Sequence, residues 1–248
     1  MVRKIYSLQQ KIHEFIRNAG GKDGIPIFMV HHVNENAAEN EKNLTIGTKE
    51  FRDFINVLID NNYKFLRPEE IERSFGSKSC MVTFDDVCKD AIENGIPFLE
   101  EKKIPYVCFV SPGFVDQEGY LNSNDLIMLR NSLLCTIGAH SLHHKIFRNL
   151  AEQEKQKELA KREHEILLDC QIKDFAFPYG SVYACDRASI KLAKKEYTRV
   201  YSTLKYEMKP KDTKETIPRI NLNSAYIKQT GMVKYEEKNS DNSLPFNL

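Results

Sequence analysis

The chain has no tryptophan, and none of its apolar runs approaches the ~18 residues that a membrane-crossing helix needs. Three familiar signatures are missing: the GxSxG elbow, the GxxxxGK[ST] phosphate loop and the GxGxxG turn. Their absence removes the usual sequence signals for serine esterases, P-loop proteins and dinucleotide-binding folds. None of the six cysteines (80, 88, 108, 135, 170 and 185) forms a CxxC pair, which excludes a zinc ribbon. Charge of one sign is lacking too. Lys and Arg number 36 against 35 Asp and Glu, a net charge of +1, so no basic footprint for nucleic acid exists. The first ten residues are basic but have neither the apolar stretch nor the small-residue cleavage site of a signal peptide. Four of the six cysteines sit in or beside apolar runs, as free core cysteines do. The expected setting is therefore reducing and cytoplasmic.

What is present alternates between strands and helices. Charged residues at 29 % and hydrophobic residues at 41 % argue against wholesale disorder. Short apolar runs at 26–30, 80–84, 106–110, 133–138 and 175–177 read as strands buried on both faces. Segments 199–203 and 217–222 read as extended. Between them fall helical patterns. Residues 1–20 form one, ending at Gly20-Gly21. Thr48 is placed to cap another, with Phe51, Phe54, Ile55, Leu58 and Ile59 on one face. A third covers 89–102, broken or restarted at Pro97. Ser123 caps a fourth through Arg130, a long charged helix spans 151–170, and a further helix spans 185–196. This rhythm predicts about seven parallel strands with crossover helices, in an open doubly wound sheet or an incomplete α/β barrel. In either fold the functional loops lie at the carboxyl ends of the strands.

Polar residues gather at those strand ends. Asp85-Asp86 follows the 80–84 run, where two carboxylates are costly to desolvate. One of them can bind a metal while the other handles a proton; alone, such a pair is more often a helix cap or turn. The 133–138 strand leads into His140-Ser141-Leu142-His143-His144, which holds three of the chain's seven histidines. His140 and His144, four apart, share one face if the segment is a helical turn. With Asp86 they make a two-histidine, one-carboxylate set that leaves positions open for water and substrate. His143 lies off that face, as a supporting or surface residue. Phe177-Pro178-Tyr179-Gly180 ends the fifth strand, as a plain turn or as a rigid one presenting a backbone N–H. His31-His32 ends the first; His32 reads as a satisfied polar group there.

Thr83-Phe84-Asp85-Asp86, then His140 to His144, then Phe177-Pro178-Tyr179-Gly180 resemble, in that order, the polysaccharide deacetylase family, carbohydrate esterase family 4. The resemblance spans residues 25–222. Ile25-Pro26-Ile27-Phe28-Met29-Val30-His31-His32-Val33 resembles the opening strand of a permuted branch of the family. The family implies a distorted, incomplete (β/α) barrel and metal-dependent removal of acetyl groups from N-acetylated sugars. Carried onto this chain, it implies that Asp86, His140 and His144 bind one divalent ion, zinc first and Co2+, Ni2+ or Mn2+ otherwise. It implies that Asp85 is the base toward an activated water. Pro178, Tyr179 and Gly180 line the substrate, with the Tyr179 N–H facing the oxyanion. His31 is the candidate acid, because the permuted branch puts the acid's strand first.

The chain departs from the family pattern in three places. Val87 replaces the usual Gly after the paired Asp, a variant similar to members associated with surface-polysaccharide biosynthesis. Phe175 and Phe177 occupy the stretch where an Arg is expected before the Pro-Tyr-Gly turn, and Arg219 is the candidate to orient Asp85 in its place. No tryptophan is available to line the groove. The expected organisation is a helical extension over 1–24, a catalytic domain over 25–234 and a polar tail over 235–248. The expected partner is an N-acetylated sugar or glycan intermediate. Two alternatives stand beside a sugar deacetylase: a degenerate sugar-binding relative, and a deacetylase of a small non-sugar acetamide.

Overall fold

The structure is a computed structural model in which residues 24–204 and 208–230 are described. The helix expected over 1–20 and the tail over 235–248 lie outside the described residues. Among the described residues are ten strands: β1 (Ile27–Val30), β2 (His32–Val33), β3 (Thr45–Ile46), β4 (Lys64–Phe65), β5 (Ser79–Asp85), β6 (Tyr106–Val110), β7 (Cys135–Ala139), β8 (Asp174–Ala176), β9 (Arg199–Tyr201) and β10 (Ile220–Asn221). The α-helices are α1 (Thr48–Asp60), α2 (Ile96–Glu101), α3 (Ser123–Asn131), α4 (Glu152–Glu158), α5 (Lys161–Leu168), α6 (Arg187–Glu196) and α7 (Ser224–Thr230).

Seven strands pair in the order β10-β1-β5-β6-β7-β8-β9, all in parallel, with β4 added alongside β5. The sheet curls into a half-barrel, which settles the choice between barrel and open sheet. Its two faces carry separate cores, as the two-residue period of a strand requires. Phe28, Val30, Cys80, Val82, Phe84, Cys108 and Val110 face the helical layer. There α1 docks through Phe51, Phe54, Ile55 and Leu58, with the Phe54 ring 4.8 Å from Phe28. Ile27, Met81, Val107, Phe109, Ala176 and Tyr201 face the barrel interior. Continuing the inward parity to each carboxyl end gives His31 just beyond β1, Asp85 at the end of β5 and His140 just beyond β7. The strand period alone therefore converges these residues.

Several local expectations are corrected. Gly47, not Thr48, caps α1, and its N–H donates to Glu50 Oε2 at 3.3 Å. Asn122, not Ser123, caps α3: its Oδ1 accepts from the Asp125 N–H, while Ser123 turns its hydroxyl to Asp116. The single helix expected over 151–170 is two, because the Leu159 carbonyl at the break is taken by the Tyr197 hydroxyl at 3.0 Å. Pro97 sits at the start of α2, just after a π-helical turn over Ala91–Gly95. At the amino end of the barrel, Asp174 is held by two nitrogens of Arg199 at 2.5 and 2.8 Å. No helix among the described residues is long and apolar enough to cross a membrane.

Candidate active site

Asp85, the last residue of β5, is buried and ionised by its surroundings. Burial pushes its carboxyl up, but Arg219, His140 and His31 together hold it down at about 2. Arg219 supplies a two-pronged contact, 2.5 Å to Oδ1 and 2.7 Å to Oδ2. This arginine is fully buried. It is fixed by bonds to the Ser202 carbonyl and Thr83 Oγ1, and it lies over the Phe109 and Tyr201 rings. Asp86 behaves in the opposite way. Burial and the adjacent Asp85 charge push it up to about 7. Its Oδ1 is buried and makes no hydrogen bond.

That oxygen stands 3.1 Å from His144 Nε2 and 3.5 Å from His140 Nε2. One donor atom from each of the three residues falls within 4.8 Å of the others. His140 donates from Nδ1 to the Ala176 carbonyl at 2.8 Å, which leaves Nε2 as a lone-pair donor toward the cluster. Burial lowers both histidines, His140 to about 3, and thereby favours the neutral, ligating form. An unpartnered carboxylate oxygen facing two uncharged imidazoles fits a divalent cation held by Asp86, His140 and His144.

The histidines do not meet by a helical turn. Residues 140–146 contain no helix, and positive φ angles at Ser141 (57°) and His144 (52°) fold the loop instead. Ser111, just beyond β6, ties this loop down by donating to the Ser141 and Leu142 carbonyls. Phe114 and Tyr179 flank the His144 ring at 5.2 and 4.9 Å. Ser111 and Phe114 belong to no sequence motif; the signal that marks them is their place just past the carboxyl end of a buried apolar run.

Asp86 and Tyr179 are each the centre of a three-residue turn with positive φ. Val87 N–H donates to the Asp85 carbonyl at 2.6 Å, and Gly180 N–H to the Pro178 carbonyl at 2.7 Å. Such turns are rare and strained. Of the nine described non-glycine residues with positive φ, five (Asp86, Val87, Ser141, His144 and Tyr179) belong to this region. Backbone strain clusters where a site must be pre-set. Gly180 has little alternative: a Cβ there would stand 2.7 Å from Thr203 N.

The remaining expected residues divide. His31 is partly buried, and burial lowers its ring to about 4 even though the Asp85 charge opposes this. His143 is not at the cluster. It is largely exposed and bonds Glu158 at 2.9 Å through Nδ1. His32 turns away from the Asp86 cluster, toward Asp90 at 3.1 Å and Cys88 at 3.6 Å.

Fold and site together define a parallel (β/α) half-barrel with its polar chemistry at the carboxyl edge of the sheet. A family model described as polysaccharide deacetylase matches residues 72–200, just over half of the chain. The chain belongs to the polysaccharide deacetylase family. Among curated proteins it is similar to a poly-beta-1,6-N-acetyl-D-glucosamine N-deacetylase of Staphylococcus aureus (strain MSSA476), with 26 % identity over 200 residues, 72 % of this chain and 68 % of the relative. Among solved structures it is similar in fold to IcaB from Ammonifex degensii, with a TM-score of 0.72 at 20 % identity, covering 85 % of this chain and 97 % of that one. The Streptococcus pyogenes deacetylase PplD gives a TM-score of 0.70, also at 20 % identity, covering 84 % and 97 %.

Proposed function

We propose that the chain removes the acetyl group from an N-acetylated amino sugar during surface-polysaccharide biosynthesis, using one divalent cation held by Asp86, His140 and His144. The observation that carries this reading is the pairing of the orphaned Asp86 Oδ1 with two uncharged imidazole nitrogens, next to a carboxylate kept ionised by Arg219. When bound, such a cation, zinc in our reading, supplies Lewis acidity toward water and toward an amide carbonyl.

The chain's own groups then do the rest. Asp85, ionised at every physiological pH, accepts the proton that water gives up as it attacks. The Tyr179 N–H, set by the Pro178 to Gly180 turn, faces the oxygen on which charge develops. His31 delivers a proton to the leaving nitrogen. With its ring at about 4, it is a strong acid once charged, and the Asp85 charge beside it favours that form. The products are acetate and a free amino sugar. The name of the S. aureus relative supports a glucosamine-type substrate, and the six free cysteines support a cytoplasmic setting.

The test is acetate release by the zinc-supplied protein from three sets of compounds: β-1,6-linked N-acetylglucosamine oligomers, nucleotide-linked N-acetyl sugars and small acetamides. Release from either sugar set supports the reading. Release from the small acetamides alone, or from none of the three with zinc bound, contradicts it.

A further inference from the structure

Close to this site lies a second set of donors that the proposed reaction does not use. His32 follows His31 off β1, while Cys88 follows the turn after β5 and Asp90 opens the helical segment beyond it. The two strands pair in parallel with Val30 opposite Phe84, so the segments leaving them emerge side by side. One nitrogen of His32, the sulfur of Cys88 and one carboxylate oxygen of Asp90 lie within 4.8 Å of one another. Cys88 Sγ is 3.6 Å from His32 Nε2, and Asp90 Oδ2 is 3.1 Å from His32 Nδ1. The other carboxylate oxygen, Asp90 Oδ1, is buried and unpartnered.

The spacing suits an ion. Zinc–sulfur and zinc–nitrogen bonds of about 2.3 and 2.0 Å at a tetrahedral angle place their donors roughly 3.5 Å apart. The observed 3.6 Å matches that bite. A carboxylate on the far nitrogen of the imidazole is the partner that fixes a ligating tautomer. The donor types select as well. Sulfur with imidazole favours a borderline-soft ion such as zinc over magnesium or calcium, which take oxygen. The cluster is also held in place before any ion arrives. Leu121 N–H donates to the Val87 carbonyl at 3.1 Å and Lys89 N–H to the Gly119 carbonyl at 2.8 Å, bracketing Cys88. Cys88 forms the floor at 3 % exposure, while the His32 and Asp90 side chains, at 19 % and 20 %, leave a way in.

We propose that His32 Nε2 and Cys88 Sγ, with Asp90 holding the imidazole by its other nitrogen, form a second cation site for a zinc-class divalent ion, distinct from the Asp86, His140 and His144 set. The two sets differ in one respect that an experiment can read: only the second contains sulfur.

The experiment is a cobalt titration of the metal-stripped full-length protein, following thiolate-to-cobalt charge-transfer absorption in the near ultraviolet together with bound cobalt. The expected result is two equivalents per chain and a charge-transfer band. Cys88→Ser removes the band and one equivalent. His140→Ala removes one equivalent and keeps the band. Asp90→Asn, a change at the open side of the cluster, keeps the band but weakens the cobalt affinity behind it by roughly 10–100-fold. A wild-type protein that saturates without the band overturns the proposal, as does a band that survives in Cys88→Ser. A band with no other cobalt bound leaves this site standing and removes the first.

Discussion

Arg219 grips Asp85 with both ends of its guanidinium, at 2.5 and 2.7 Å, inside a barrel where neither side chain meets solvent. The arginine arrives from the start of β10, two strands away across β1. Phe175 and Phe177 pack against Phe147 in the helical-side core, and the residue between them that faces the barrel interior is Ala176, which has no charge to offer Asp85. The fork does two things at once. It cancels a buried charge, and it aims the carboxylate that the proposed reaction uses as a base.

Removing the fork leaves Asp85 buried and uncompensated. Arg219→Met is expected to lower unfolding stability by about 3–5 kcal/mol, measured by urea denaturation at neutral pH. The sign with pH follows from the depressed carboxyl. The pair's stabilisation is complete above the unfolded value of about 3.9 and is lost as pH falls toward the folded value of about 2. The variant loses that acid-side decline, because Asp85 no longer gains on folding. Equal stability in wild type and variant contradicts the assignment.

Val87 carries a different strain. It is a buried β-branched residue with φ of 55°, a region that favours glycine. Left-handed backbone costs a non-glycine residue roughly 1–2 kcal/mol, whereas glycine at an ordinary position costs about 0.5–1 kcal/mol relative to alanine. Thermal unfolding of the two variants is therefore expected to show Val87→Gly no less stable than Val87→Ala, the reverse of the usual order. A clear advantage for alanine would mean that the strain is not felt.

His164 sets a stability trend at higher pH. The ring is fully buried, its Nδ1 facing the Ala160 carbonyl at 2.9 Å and the Tyr197 hydroxyl at 3.0 Å, and burial lowers its proton affinity. The unfolded chain takes up a proton near pH 6.5 while the folded chain resists it, so this histidine makes stability fall as pH drops below about 6.5. Urea denaturation at pH 7.5 and 5.5 is expected to show a smaller fall in His164→Gln than in the wild type. Identical falls rule out the effect.

How far the sequence could be read varies with the range of the interaction. Five strands of the sheet were legible because β1, β5, β6, β7 and β8 fall in apolar runs that need burial on both faces, whereas β9 and β10 could be read only as extended segments. The helix at 48–60 was legible from one stripe of Phe and Ile. The break at Leu159 was not, since it depends on Tyr197, 38 residues away. The loop from His140 to His144 misled in its own way: a spacing of four fits a helix, but positive φ at Ser141 and His144 brings the rings together without one. Arg219 was legible only as a missing charge that something had to replace. The His32, Cys88 and Asp90 cluster was invisible, because no local pattern announces that two strand ends will emerge side by side.

The most direct test compares Asp85→Asn with His140→Ala for zinc content and for acetate released from N-acetylglucosamine oligomers. Asp85→Asn is expected to keep the full wild-type zinc content while turnover falls by about 10²–10⁴-fold, as the loss of a general base implies. His140→Ala is expected to lose one equivalent of zinc together with its activity. Unimpaired acetate release in Asp85→Asn, or full zinc retention in His140→Ala, would contradict these roles.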